Sequence, residues 1–248
     1  MRRDDTCHPV ATLDEKATRS LVVNADDLGL SAAVNDGIFA AHAEGVVTSA
    51  SLMVRQGAAP AAAEQSGDYP ELAIGLHIDL GEWNYEEGEW KLAYSHCDGD
   101  DPEAVAAECR AQLERFRALL GRDPTHLDSH QHVHEQEPAK GVAEALAAEL
   151  GVPLRNRAIP YEGGFYGQSG KGEPFPEGIT PETLMDLIRN LPPGWTEIGC
   201  HPAAGPVPTS SYDAERQIEL ETLRDPEVKT LLNVMQINLC SFAQADRK

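Results

Sequence analysis

Basic side chains are scarce in this sequence. Twenty lysines and arginines stand against 41 aspartates and glutamates, a formal net charge of −21 over 248 residues. Phosphate backbones and anionic lipid repel such a chain, which argues against nucleic acid and membrane as partners. Arginine outnumbers lysine and alanine is abundant, so a compositional bias of the source would account for the acidity as well as a substrate would. Cysteine is sparse too. Cys7, Cys97, Cys109, Cys200 and Cys240 form no CxxC pair, and their odd number does not suit a disulfide scaffold. Free thiols in a reducing, cytoplasmic compartment are the expectation. No apolar run approaches a bilayer-spanning length, and the opening MRRDDTCHPV has no apolar signal-peptide segment. The glycine spacing of a phosphate loop and the GxSxG elbow are both missing. Cys200 and His201 are neighbours that a strand would send to opposite faces, which rules out a Cys–His nucleophile pair. Neither repeats nor a low-complexity linker divides the chain. It reads as one domain, residues 19–248, behind a flexible polar tail, residues 1–18.

Histidine, by contrast, is concentrated. Thr125 to His134 holds four of the nine histidines and one aspartate. In an extended segment His126, Asp128, His130, His132 and His134 would share one face, and clustered imidazoles need partners that a divalent metal supplies. Elsewhere short apolar runs alternate with helical periodicity. Strands are expected at Leu21–Val23, Val46–Val54, Leu72–Leu80, the histidine tract, Val152–Leu154, Thr196–Cys200 and Val234–Leu239. Mostly helical crossovers join them, and 248 residues suit a single α/β barrel. Residues 81–101, with Trp83, Tyr85, Trp90 and Tyr94, and residues 158–178, rich in glycine and proline, read as loops near the site. Five strand ends carry metal-capable or charged groups: Asp26 with Asp27, His77, His130, Arg155 and His201. In parallel α/β folds strand carboxyl ends share one face, so these groups converge on one mouth as a metal site. Two imidazoles and one carboxylate would leave coordination positions open for water and substrate, the catalytic arrangement. Arg155 either orients an ionised Asp26 or forms a buried structural ion pair. Imidazole donors favour zinc over magnesium, which remains the alternative for one divalent ion per chain.

Val23-Asn24-Ala25-Asp26-Asp27-Leu28-Gly29-Leu30-Ser31, Gly75-Leu76-His77, the tract from Thr125 to His134 and His201-Pro202-Ala203 together resemble the YdjC-like carbohydrate deacetylase family, which includes the chitooligosaccharide deacetylases. The resemblance spans roughly residues 20 to 240. It implies a distorted, incomplete (β/α) barrel of about seven parallel strands and metal-dependent removal of acetyl groups from N-acetylated sugars, with metal-activated water attacking the acetamide. It also implies the roles. Asp27, His77 and His130 would be the metal ligands, Asp26 the base and His201 the acid, with His132 and His134 lining or orienting the site. Two other readings stay open, a metal-containing sugar-binding protein without turnover and a hydrolase of another bond such as a phosphoester. A spare base at Asp26 argues against the first. A homodimer is the one macromolecular assembly left open.

Overall fold

The computed structural model describes residues 18–208 and 210–245, so all of the expected tail except Thr18 lies outside the described residues. In chain order the elements are β1 (Arg19–Leu28), α1 (Ala32–Ala43), β2 (Ser49–Leu52), α2 (Ala59–Gln65), β3 (Ala73–Ile78), β4 (Gly81–Glu86), β5 (Glu89–Ser95), α3 (Pro102–Leu120) and β6 (Leu127–Ser129). They continue with α4 (Ala139–Leu150), β7 (Tyr161–Glu162), α5 (Pro181–Arg189), β8 (Gly194–Cys200), α6 (Ala214–Arg224), α7 (Pro226–Val234) and β9 (Asn238–Cys240).

β1 is the axis of the sheet. One edge pairs in parallel with β8, from Arg19↔Gly194 to Ala25↔Cys200. The other is shared by β9 along Ser20–Val22 and by β2 from Asn24 to Leu28. β3 and then β6 extend the sheet beyond β2, and β7 lies beyond β8. All these pairings are parallel. The sheet curls but does not close: β6 and β7 end the order, making the expected distorted, incomplete barrel in a single domain.

Strand alternation sorts this sheet into two chemistries. Leu21, Val23 and Ala25 of β1, with Leu52, Ile74, Leu76 and Ile198 of its neighbours, join the core that packs under the helices. The alternate residues face into the curl and are mostly polar: Asn24, Asp26, Ser51, His77, Asp128 and Glu197, all buried. Parallel strands covered on both sides are ordinarily apolar throughout, so a buried polar inner face marks where this fold departs from pure stability. Val22, Ile159 and Phe242 seal the floor, where the Phe242 N–H donates to Ser49 Oγ at 3.0 Å. The helices begin and end where their caps dictate. Ser31 accepts from the Val34 N–H at 3.2 Å to start α1, Asp101 caps α3, and left-handed Gly121 and Gly151 stop α3 and α4.

Several expected elements move. Residues 81–101 contain the antiparallel β4–β5 hairpin, turned at Glu87-Gly88, whose φ angles of 56° and 91° suit a two-residue turn. Val152–Leu154 makes only the bridge Leu127↔Leu154, because Pro153 has no N–H to continue a ladder. The last strand begins at Asn238, since α7 runs on through Val234. Within 158–178 lies β7. The histidine tract alternates only as far as Ser129. From His130 to Glu135 it winds into a 3₁₀ turn, with Gln131 and His132 left-handed at φ 49° and 54°. Among the described residues the four cysteines are free, and no helix is long and apolar enough to cross a membrane.

Candidate active site

The mouth of the curl holds a cavity of about 330 Å³ lined by Asp26, Asp27, His77, His130, His132 and His201, among others. β1 delivers its two carboxylates in different directions. Its register slips between Ala25 and Leu28, and Asp27 takes φ 68°, a left-handed conformation that aspartate tolerates better than most side chains.

Asp27 Oδ1 lies 3.4 Å from His77 Nε2 and 3.3 Å from His130 Nδ1, and this buried oxygen has no hydrogen-bond partner. Donors held by one ion at about 2.0–2.1 Å in tetrahedral geometry stand roughly 3.3–3.4 Å apart, so these separations fit a single transition-metal ion. The other Asp27 oxygen accepts from Arg216 Nη2 at 2.7 Å. His77 Nδ1 is 2.8 Å from Asp128 Oδ1, the carboxylate–imidazole pair that leaves the opposite nitrogen free as a ligand. Among the described residues, buried Asp26, Asp27, Asp128, Glu197 and Glu219 around the mouth face only Arg155 and Arg216 as buried guanidiniums. That excess of carboxylates also fits a divalent cation. Burial would raise Asp27, but Arg216 and then the two imidazoles hold it well below the usual carboxylate range. Burial disfavours charge on His77, yet Asp128 pushes it well above an ordinary imidazole.

Asp26 sits beside this cluster in a different grip. Arg155 Nη1 and Nη2 donate to its two oxygens at 2.6 and 2.7 Å, and Asn24 Nδ2 donates at 2.8 Å. Burial would raise its pKa, but the guanidinium outweighs burial and keeps the carboxyl below its usual range. Arg155 is fully buried and does not reach the cavity. It also bonds Glu197 at 2.7 Å and pairs with Asp128 at 3.0 Å, so it acts on Asp26 rather than on a ligand.

Across the mouth, His201 at the end of β8 places Nε2 3.9 Å from Asp26 Oδ2. Its Nδ1 is 3.8 Å from Glu219 Oε1, and its backbone N–H donates to the other oxygen of the same carboxylate, which Tyr212 also bonds. Burial alone would lower His201, but Glu219 raises it above the ordinary imidazole value. His132 lines the cavity with its ring 5.2 Å from that of Tyr161, and burial pushes it down to about 4, which keeps it neutral. His134 does not line the cavity. The left-handed turn at Gln131 and His132 sends it inward, where Nδ1 lies 2.6 Å from Ser129 Oγ.

The structure therefore brings together Asp26, Asp27, His77, His130, His132 and His201, places Arg155 behind Asp26, and takes His134 out of the mouth. Sequence reasoning missed Arg216, Glu219 and Glu82. The first two stand one turn apart on α6 and are buried, at 2% and 0% exposure, whereas Ile218 between them is 40% exposed. The signal was present in the spacing of Tyr212, Arg216 and Glu219, a polar stripe at helical period.

The family model described as YdjC-like protein matches residues 20–234. A carbohydrate deacetylase of Geobacillus stearothermophilus is 35% identical over 249 residues, covering 91% of this chain and 98% of the relative. A chitooligosaccharide deacetylase of Serratia marcescens is 34% identical, covering 90% and 97%. The crystal structure of a candidate cellobiose-phosphate cleavage protein from Enterococcus faecalis V583 aligns with a TM-score of 0.74 at 29% identity, covering 91% of this chain and 98% of that one.

Proposed function

The chain belongs to the YdjC-like family, and from that membership and the geometry of its mouth we propose that it is a metal-dependent hydrolase removing N-acetyl groups from acetylated amino sugars or their oligosaccharides. One observation carries the reading: an orphaned carboxylate oxygen and two imidazole nitrogens at metal-ligand separations stand beside a second carboxylate and a third imidazole that the ligand set does not use.

Asp27 Oδ1, His77 Nε2 and His130 Nδ1 would hold the ion, and two nitrogens in three donors favour zinc over magnesium. Such an ion polarises a carbonyl and acidifies water. The chain's own residues then move two protons. Asp26, kept ionised by Arg155, takes a proton at Oδ2 from the water that attacks the acetamide carbon. His201, whose protonated form Glu219 favours, gives its Nε2 proton to the amine nitrogen as the C–N bond breaks, releasing acetate and a free amine. The two groups stand 3.9 Å apart, near enough for one to reach the attacking oxygen and the other the leaving nitrogen on a single tetrahedral carbon. His132, neutral and half-enclosed, offers a hydrogen bond to the sugar.

The test is to measure acetate and free amine together over a panel of N-acetylated sugars, with the metal stripped and then restored. Equal, metal-dependent release of both products is expected. Sugar binding without release would favour the non-catalytic reading, and metal-dependent phosphate release would favour the phosphoester one.

A further inference from the structure

We infer that Glu82, carried by the β4–β5 hairpin, is the outer carboxylate of His130, so that loading of the metal and seating of the hairpin are linked. The inference rests on the metal reading above and concerns this chain's own residues around it.

His130 turns Nδ1 toward Asp27, which leaves Nε2 on the far side of the ring. That Nε2 is buried and has no hydrogen-bond partner, and it faces Glu82 Oε2 at 4.0 Å. An imidazole that binds an ion through Nδ1 keeps its proton on Nε2, and the N–H then needs an acceptor to fix the ring and raise its basicity. His77 already has that acceptor in Asp128 at 2.8 Å. Glu82 stands in the corresponding place for His130, just beyond hydrogen-bond reach. Its side chain is only 13% exposed, and among the described residues it accepts no hydrogen bond. A half-desolvated carboxylate without a donor is costly, and the donor that relieves it is the one His130 lacks a partner for.

The hairpin cannot supply Glu82 independently of the ligand. Gln131, next in sequence to His130, holds the backbone of Trp83, next to Glu82, from both ends of its amide. The Trp83 N–H donates to Gln131 Oε1 at 2.9 Å, and Gln131 Nε2 donates to the Trp83 carbonyl at 2.8 Å. The left-handed φ of 49° at Gln131 aims that amide outward. At the base of the hairpin, buried Asp79 accepts from Tyr94 at 3.0 Å and from Gln56 at 3.1 Å. Ligand and carboxylate are thus tied through both the ion-pair gap and the Gln131 clamp. Drawing Glu82 onto His130 draws the hairpin with it.

Zinc binding to metal-stripped, full-length protein, measured by competition with a chromophoric chelator, tests the link. Glu82→Ala should weaken zinc binding about 10-fold or more, the usual worth of an outer-sphere partner. Glu82→Gln, which keeps an acceptor oxygen, should lose less. Amide hydrogen exchange across residues 81–95 should slow when zinc is added to the wild type, and should not in Glu82→Ala. His77→Ala is the control for the underlying reading: if it binds zinc like the wild type, the metal reading itself fails. If His77→Ala loses zinc while Glu82→Ala binds it unchanged, or if hairpin exchange in the wild type ignores zinc, the inference alone is overturned. Should Glu82→Ala not fold, Gln131→Ala answers the same question without touching a proposed ligand: zinc affinity falls, or the link is wrong.

Discussion

Acid should destabilise this protein measurably through one histidine on the floor of the barrel. His126 is fully buried, stacked on Phe242 with ring centroids 4.0 Å apart, and its Nε2 has no hydrogen-bond partner. The Gly75 backbone lies so close that a Cβ there would come within 2.5 Å of the ring, leaving no room for water. Burial pushes the imidazole down to about 4 from an ordinary 6.5, with Asp128 only partly opposing it. The folded pKa is the lower one, so the unfolded chain binds the proton first, and stability falls as pH drops from 6.5 toward 4. Linkage puts the loss from this group at about 2 kcal/mol by pH 5 and about 3 kcal/mol well below pH 4. Urea unfolding of metal-stripped wild type and His126→Asn should be followed from pH 8 to 4. The variant should be less stable at pH 8, because it leaves a cavity, and the gap between the two curves should narrow by about 2 kcal/mol by pH 5. Parallel curves would refute the assignment, since every other titrating group is common to both proteins.

Asp26→Asn and His201→Ala should each lower turnover by roughly 10²- to 10⁴-fold while metal content per chain stays unchanged. With an activated ester, whose leaving group needs no proton, His201→Ala should recover much of its rate and Asp26→Asn should not; equal damage to both would make His201 a ligand or an orienting group. His77→Ala or His130→Ala should empty the metal site after dialysis, and His134→Ala should leave it filled, because His134 points at Ser129 instead. Glu219→Gln should move the basic limb of the kcat–pH profile downward. The acid works while His201 is protonated and fails as pH rises through its pKa, and Glu219 is what raises that pKa. An unmoved limb would show that the proton donor is another group.

The polar strand ends were legible because their grammar is local. Leu21-Val22-Val23 ends on Asp26-Asp27, and Gly199-Cys200 ends on His201, so pattern and position could be read without knowing any contact. The resemblance added which aspartate and which tract histidine are proposed as ligands, a choice that depends on backbone twist. Asp27 reaches the mouth through a left-handed φ, and His132 and His134 part company because two consecutive left-handed residues interrupt the alternation. No periodicity rule anticipates such angles in non-glycine residues. The hairpin turn at Glu87-Gly88, flanked by Trp83 and Tyr85 on one side and Trp90 and Leu92 on the other, was legible in principle, since a residue–glycine pair between alternating apolar residues is a turn signal.

Helix α6 shows why the remaining part was hidden. Read by hydrophobicity, its charged residues belong outside and Ile218 inside with Leu220 and Leu223; the two leucines are buried as expected, but so are Arg216 and Glu219, and Ile218 is 40% exposed. Burying two charges in one turn is tolerable only where each meets an opposite or accepting group at hydrogen-bond distance. Those partners are Asp27, 189 residues away for Arg216, and the His201 backbone N–H, 18 residues away for Glu219. The helix therefore grips a proposed metal ligand with one charge and the proposed acid with the other, and its orientation sets the distance between them. Apolar side chains on that face would have served packing as well, but would have left Asp27 Oδ2 without a donor and lowered the His201 pKa. The two buried charges follow from the needs of the mouth, which are set by residues that are not their neighbours in sequence.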